Sequence, residues 1–207
     1  RTFYYFESYG FPLEMTMEMM KERGVSVNQE GFQKAFAQHQ EKSRVGAEQK
    51  FAGGLADHSF ESRKLHTATH LMLEALRRVL GKHVEQKGSN ITQERLRFDF
   101  NHPEKLTPEQ IADVEKIVND AIQADHAVHF EEMTVEQARK VNATGIFIDK
   151  YEGELEGRVK VYFMGDFSKE ICGGPHVDHT GQLGAGFKIV KEESISSGIR
   201  RIKAILS

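Results

Sequence analysis

Arg95-Leu96-Arg97-Phe98-Asp99-Phe100 alternates strictly between charged and apolar residues, the pattern of a strand with one face in a core and the other in water. A short polar stretch follows, and then Thr107-Pro108-Glu109-Gln110 supplies an N-cap, a first-turn proline and a capping-box glutamine. Ile111, Val114, Val118, Ala121 and Ile122 continue from there at helical spacing. Working outward, Leu65, Ala68, Met72, Ala75, Leu76 and Val79 predict a helix over 65–80 that ends at Gly81. Val128 to Met133, Val159 to Phe163, Phe187 to Val190 and Ile199 to Ile205 read as strands, and Thr134 to Val141 as a short capped helix. There is no regular βαβ repetition, no glycine-rich phosphate loop and no internal repeat. The expected fold class is therefore α+β, an antiparallel sheet with helices packed on one face.

Upstream, Pro12 opens a helix that runs through Met15, Met19 and Met20 and stops at Gly24. A second helix follows Asn28 and carries Phe32, Ala35, Phe36 and His39 at helical spacing. Residues 1–48 thus read as a helical pair. Residues 49–62 hold Gly53-Gly54 with little periodicity and read as a linker, and 63–207 as the main domain.

The 207 residues are 39% hydrophobic, enough for one sizeable core and an appendage. No run approaches the roughly 18 apolar residues that span a bilayer, and the N-terminus lacks the order of a signal peptide, so a soluble intracellular protein without membrane contact is expected. The net charge of −3 gives no global attraction to nucleic acid. A local basic patch is the remaining option: near the C-terminus Lys188, Lys191, Arg200, Arg201 and Lys203 outnumber Glu192 and Glu193. The chain starts at Arg1 within what reads as ordered sequence, and is expected to be part of something longer.

His66 and His70 lie one turn apart, so their imidazoles can converge on one ion. Such pairs also occur by chance on solvated helix faces. The balance shifts at Ile171-Cys172-Gly173-Gly174-Pro175-His176, where the only cysteine precedes another histidine by four residues in a glycine-rich turn. A thiolate with imidazoles in a tetrahedral set selects Zn²⁺ over Mg²⁺ or Ca²⁺. Four protein ligands suit a closed structural site, whereas a catalytic zinc keeps a position open, and the spacing leaves both readings standing. His39, His58, His83, His102, His126 and His129 show no partner spacing and read as surface or boundary residues; His179 reads as a solvated turn residue. Asp166 and Glu170 read most simply as strand-end charges, with orientation of a ligand histidine as the alternative.

His66-Thr67-Ala68-Thr69-His70-Leu71 resembles the motif that opens the editing domain of alanyl-tRNA synthetases. So do Gln86-Lys87-Gly88-Ser89, Arg95 to Phe100, Gly165-Asp166-Phe167-Ser168, Cys172 to His176 and Gly198-Ile199-Arg200-Arg201-Ile202. The free-standing alanyl-tRNA editing proteins and the editing domain of threonyl-tRNA synthetase share the metal motifs. Tyr9 to Leu13, Glu22-Arg23-Gly24 and Glu30-Gly31-Phe32 resemble the end of the helical tRNA-recognition region of the full synthetase. The resemblance implies a second-additional-domain type of fold, a Zn²⁺ held by His66, His70, Cys172 and His176, and hydrolysis of the ester in mischarged Ser-tRNA(Ala) or Gly-tRNA(Ala). It further implies Thr67, Gln86 and Ser89 around the substrate and Arg200 or Arg201 on phosphates of the tRNA acceptor end. Its partners would be tRNA(Ala) and an upstream aminoacylation core, in the cytoplasm. Each of those residues has a plainer reading: Thr67 facing a sheet, Gln86 on the surface, Ser89 capping a turn, the arginines solvated. Adjacent strand residues face opposite ways, so at most one arginine would reach the RNA. Two departures stand out: the family's β-barrel before the His66 helix has no room here, and Pro175 replaces the usual threonine, removing a hydroxyl and a backbone donor. The chain also ends just after the Arg200-Arg201 strand, where the family continues into a C-terminal domain.

Overall fold

The computed structural model describes residues 13–38, 55–57, 59–145 and 158–207; Pro12, His39, Gly53-Gly54 and His58 lie outside them. The chain divides into two compact units, residues 1–50 and 51–207.

In the first unit, helix α1 (Leu13–Glu22) ends as expected at Gly24, which takes φ +67. Val25 N–H donates to the Met20 carbonyl at 2.9 Å and Gly24 N–H to Lys21 at 3.1 Å, the paired closure that a left-handed residue permits. Helix α2 covers residues 29–38. The side chain of Asn28 caps it by accepting from Gly31 N–H at 2.7 Å, and Phe32 stacks on Phe36.

The second unit begins earlier than the linker reading allowed. Leu55 bridges Ile91, and helix α3 spans Phe60–Leu80. Ser59 is its N-cap: Asp57 accepts from both Ser59 N–H and Ser59 Oγ, while Ser59 Oγ accepts from Ser62 N–H. This local polar network starts the helix before its apolar stripe does, so residues 60–62 leave the linker. Strands β1 (Gln86–Ile91) and β2 (Leu96–Asn101) precede helix α4 (Pro108–Gln123), whose Thr107–Gln110 capping box is present as expected. Then come β3 (Val128–Thr134), the capped helix α5 (Val135–Lys140), β4 (Arg158–Met164), β5 (Ser168–Ile171), β6 (Phe187–Ser196) and β7 (Ile199–Leu206).

The strands form two antiparallel sheets where one was expected, ordered β1-β2-β7-β6 and β3-β4-β5. Leu96, Phe98 and Phe100 on β2 and Ile202 and Ala204 on β7 share one face of the larger sheet. Against them pack Leu65, Ala68, Leu71, Met72, Ala75 and Leu76 of α3 and Val114, Val118 and Ile122 of α4. A smaller core under the second sheet joins Met133, Val159, Val161 and Ile171 to Val135 and Ala138 of α5. Helix α3 touches β1 and β2 of one sheet and β5 of the other. That position places its histidines where the sheets meet. Among the described residues no helix is long and apolar enough to cross a membrane.

Candidate metal centre

His66 and His70 project from the buried side of α3, 2% and 7% exposed, toward the loop that follows β5. Cys172 continues the β5 pairing by donating its N–H to the Lys160 carbonyl at 3.1 Å, and the chain then turns back toward β3, where Val128 N–H reaches the Asp178 carbonyl at 2.7 Å. Tied at both ends, the loop carries Cys172 and His176 against α3. The donor atoms of His66, His70, Cys172 and His176 all lie within 4.8 Å of one another.

Hydrogen bonding settles which imidazole nitrogens face inward for His66 and His176. His66 Nδ1–H donates to the Pro175 carbonyl at 2.9 Å. Thr67 Oγ1 donates to the Arg63 carbonyl, so it accepts from His176 Nδ1–H at 3.1 Å and from Val177 N–H at 3.3 Å. His70 Nδ1 faces the carboxylate of Glu170 at 3.8 Å. With each Nδ1 turned outward, the three Nε2 atoms converge with Cys172 Sγ. His176 Nε2 is buried without a hydrogen-bond partner, as a nitrogen kept for an ion would be. Two of the separations fit as they stand, His70 Nε2 to His66 Nε2 at 3.3 Å and Cys172 Sγ to His66 Nε2 at 3.4 Å, and the widest, within 4.8 Å, would close by about an ångström around an ion. Tetrahedral bonds of about 2.0–2.1 Å to nitrogen and about 2.3 Å to sulfur require separations of about 3.4 and 3.6 Å.

Electrostatics follow from the same packing. Burial raises the Cys172 thiol, but His66 and His70 beside it outweigh that and hold it well below its ordinary value. Burial also disfavours a charged His70, yet the Cys172 thiolate and Glu170 overcome it and push His70 up to about 10. His176, lowered by burial and by the neighbouring His66, falls to about 3 and stays neutral. Without a cation, a proton on His70 balances the thiolate; a divalent cation takes over that role and displaces the proton.

Some site residues sit as the sequence suggested, others differently. The loop does not use its glycines for a left-handed turn, since neither Gly173 nor Gly174 is among the positive-φ positions; Gly174 instead donates its N–H to Cys172 Sγ at 3.4 Å. Pro175 contributes a carbonyl, which proline retains. Thr67 is fully buried and holds His176 in place. Gln86 and Ser89 lie on β1 opposite Phe100 and Phe98, which puts them on the sheet face that α3 covers. Arg200 and Arg201 do face opposite ways, but neither offers a free guanidinium. Arg200 is buried against Glu192 at 2.5 Å, and Arg201 grips Asp99 with two bonds of 2.7 and 2.9 Å. His179 is half exposed beside Asp125, and Asp166 is exposed, both in keeping with the sequence reading.

Glu170 corrects the strand-end reading. It is 1% exposed, between His70 and Arg77, and Arg77 NH1 lies 3.6 Å from it while also donating to Thr144 Oγ1. Its partner is remote in sequence, but Ser168, Glu170 and Cys172 alternate along one strand, so Glu170 shares the face of Cys172. A buried carboxylate in this place would steady His70 if an ion were bound. Glu170→Gln is expected to lower zinc affinity about 10–100-fold, measured by chelator competition, with the fold retained. Unchanged affinity would leave Glu170 as no more than a counter-ion for Arg77. Tyr162, which the sequence did not single out, packs its ring 4.3 Å from His176.

Comparison with known proteins finds two family models in this chain. Residues 1–95 match tRNA synthetases class II (A), and residues 159–203 match the Threonyl and Alanyl tRNA synthetase second additional domain. Alanine–tRNA ligases align over nearly the whole chain. That of Treponema denticola is 57% identical over 97% of this chain and 33% of its own length, that of Treponema pallidum 54% over 97% and 32%. That of Borrelia hermsii is 51% identical over 99% and 34%. The chain therefore spans about a third of the length of these relatives.

Proposed function

Because the chain belongs with the alanyl-tRNA synthetases over the third of their length that it spans, we propose that it is their editing module, hydrolysing the ester of Ser-tRNA(Ala) or Gly-tRNA(Ala) at a Zn²⁺ site. The observation that supports this most is the convergence of three Nε2 atoms and one Sγ in a protein with the second additional domain. The need for such a site is physical: a pocket built for alanine rejects the smaller glycine weakly and the hydroxyl-bearing serine only modestly, so a second site must supply the rest.

His66, His70, Cys172 and His176 would hold the zinc, which when bound supplies a positive charge that polarises and orients the ester group. The protein residues do the rest. Pro175 and Thr67 lock the imidazoles of His66 and His176 by their Nδ1 protons, so the donor set is pre-shaped. Gln86 and Ser89, on the α3-covered face of β1, would position the aminoacyl group. An aminoacyl ester is already activated, so holding it beside an ordered water gives most of the acceleration without a strong general base. The remaining two thirds of the synthetase and the acceptor end of tRNA(Ala) are the partners in this reading, and the cytoplasm is the setting.

A purely structural zinc is the second reading, favoured by the fact that all four donors come from the protein. Labelled Ser-tRNA(Ala) and Ala-tRNA(Ala) incubated with the zinc-loaded chain separate the two. Editing predicts release of serine with alanine retained; a serine ester that decays no faster than in buffer leaves the structural reading.

A further inference from the structure

The smaller sheet carries a strip that runs outward from the metal centre. Phe130 pairs with Tyr162, Glu132 with Lys160 and Thr134 with Arg158, while Tyr162 pairs with Glu170. Cross-strand partners share a face, so Glu170, Tyr162, Phe130, Lys160, Glu132 and Arg158 lie on one surface. Its inner end is the metal centre, where Glu170 faces His70 and Tyr162 packs on His176. Its outer end is open. Phe130 is 46% exposed, with its ring 5.4 Å from that of Tyr162. The Lys160 ammonium stands 4.6 Å over the Phe130 ring, and Arg158 is exposed one step beyond. Steps of two residues along β4 are about 6.6 Å, so the strip extends about 13 Å from Tyr162 to Arg158. Beside it a cavity of about 310 Å³ is lined by Glu132, Arg158, Lys160, Cys172 and Gly173, near the lower end of the roughly 300–1,000 Å³ seen for ligand sites.

A lone exposed phenylalanine needs no explanation. Two aromatic rings and two cations in file, leading into a site built from a thiolate and imidazoles, do. We infer that this strip seats the unpaired 3′-terminal nucleotides of an RNA, a base stacking on Phe130 and Tyr162 and the backbone running past Lys160 and Arg158, so that the terminal sugar reaches the metal centre. The inference rests on the editing reading and names where the substrate's nucleotides lie. Charge complementarity fits a short contact. Glu132 lies 3.8 Å from Lys160 and its carbonyl accepts from Arg158, so the open outer end of the strip keeps one net positive charge, Glu170 lying at the inner end, and stacking supplies most of the affinity. Arg200 and Arg201 are spent on Glu192 and Asp99, whereas Lys160 and Arg158 stand exposed on this strip.

The probe is an unacylated fluorescent acceptor-stem hairpin with a single-stranded CCA end, titrated into the zinc-loaded chain, with the same hairpin lacking that end as control. Phe130→Ala is expected to weaken binding of the complete probe about tenfold or more, since stacking on an aromatic ring is worth roughly 1–3 kcal/mol per base. Phe130→Tyr should bind as the unaltered chain does. Lys160→Gln should weaken binding and flatten the salt dependence by about 0.7 in log–log slope, the value of one single-strand phosphate. The truncated hairpin should not distinguish the variants, and zinc content should be the same in all. Equal binding of the complete hairpin by all variants, or equal losses on both hairpins, would overturn the inference. If serine is released while Phe130→Ala binds unimpaired, this inference fails and the editing reading stands. If the variants behave as expected and no ester is cleaved, the nucleotide strip stands and the editing reading fails.

Discussion

Cys172→Ala lowers zinc affinity more than about 100-fold. Loss of a partner that merely orients a ligand costs about 10–100-fold, and in the proposed set Cys172 is itself a donor, the one anionic member. The same substitution changes the proton count. In the unaltered chain the thiolate helps hold His70 at about 10, so at pH 7 the metal-free site carries a proton that zinc displaces. A raised value means the proton is held below about pH 10, so zinc affinity should climb about tenfold per pH unit as pH rises from 7. Without the thiolate only Glu170 opposes burial at His70, so His70 should hold its proton less strongly, and Cys172→Ala should bind zinc weakly and release fewer protons. Calorimetry in buffers of different ionisation enthalpy reads both quantities. Tight zinc binding by the alanine variant, with the proton still released, would remove Cys172 from the ligand set.

Phe98→Ala should cost about 3–5 kcal/mol of stability. Phe98 is fully buried at the middle of β2, between Ser89 and Ile202 in the sheet and beneath α3, and its ring lies 6.0 Å from that of Phe100. Truncation leaves a cavity that close-packed strands on both sides cannot collapse to fill. Against a typical total of about 5–15 kcal/mol this is a large fraction, visible as a lower urea midpoint at an unchanged slope. Bound zinc should restore part of the loss by mass action, because the four donors come together only in the folded chain. A midpoint shift equivalent to less than about 1 kcal/mol would contradict the placement of Phe98 at the centre of the core.

The residues that local rules govern were the legible ones. Thr107 and Gln110 cap α4 within one turn of each other, and His66 and His70 need only helical spacing to meet. Cys172 was conspicuous as the single thiol, four residues before His176. Strand β1 escaped because only Ile91 of its six residues is buried and Gly88 sits beside an irregularity in the pairing. Strand β5 is four residues long, too short for a period to show. The division into two sheets was equally hidden, since alternation tells which residues face inward but not which strands pair. Glu170 looked like a strand-end charge because its partner Arg77 arrives from α3, and Arg200 and Arg201 looked free because Glu192 and Asp99 reach them only through strand pairing. Tyr162 reads as one more alternating strand residue until β4 is laid beside the loop carrying His176.

In the proposed function His66, His70, Cys172 and His176 together hold one zinc ion. Zinc-edge X-ray absorption on the purified chain, combined with metal analysis, tests it most directly. The expected result is one zinc per chain, with one sulfur at about 2.3 Å and three imidazole nitrogens at about 2.0–2.1 Å. A zinc shell without sulfur, or a folded chain that takes up no zinc at all, would contradict it.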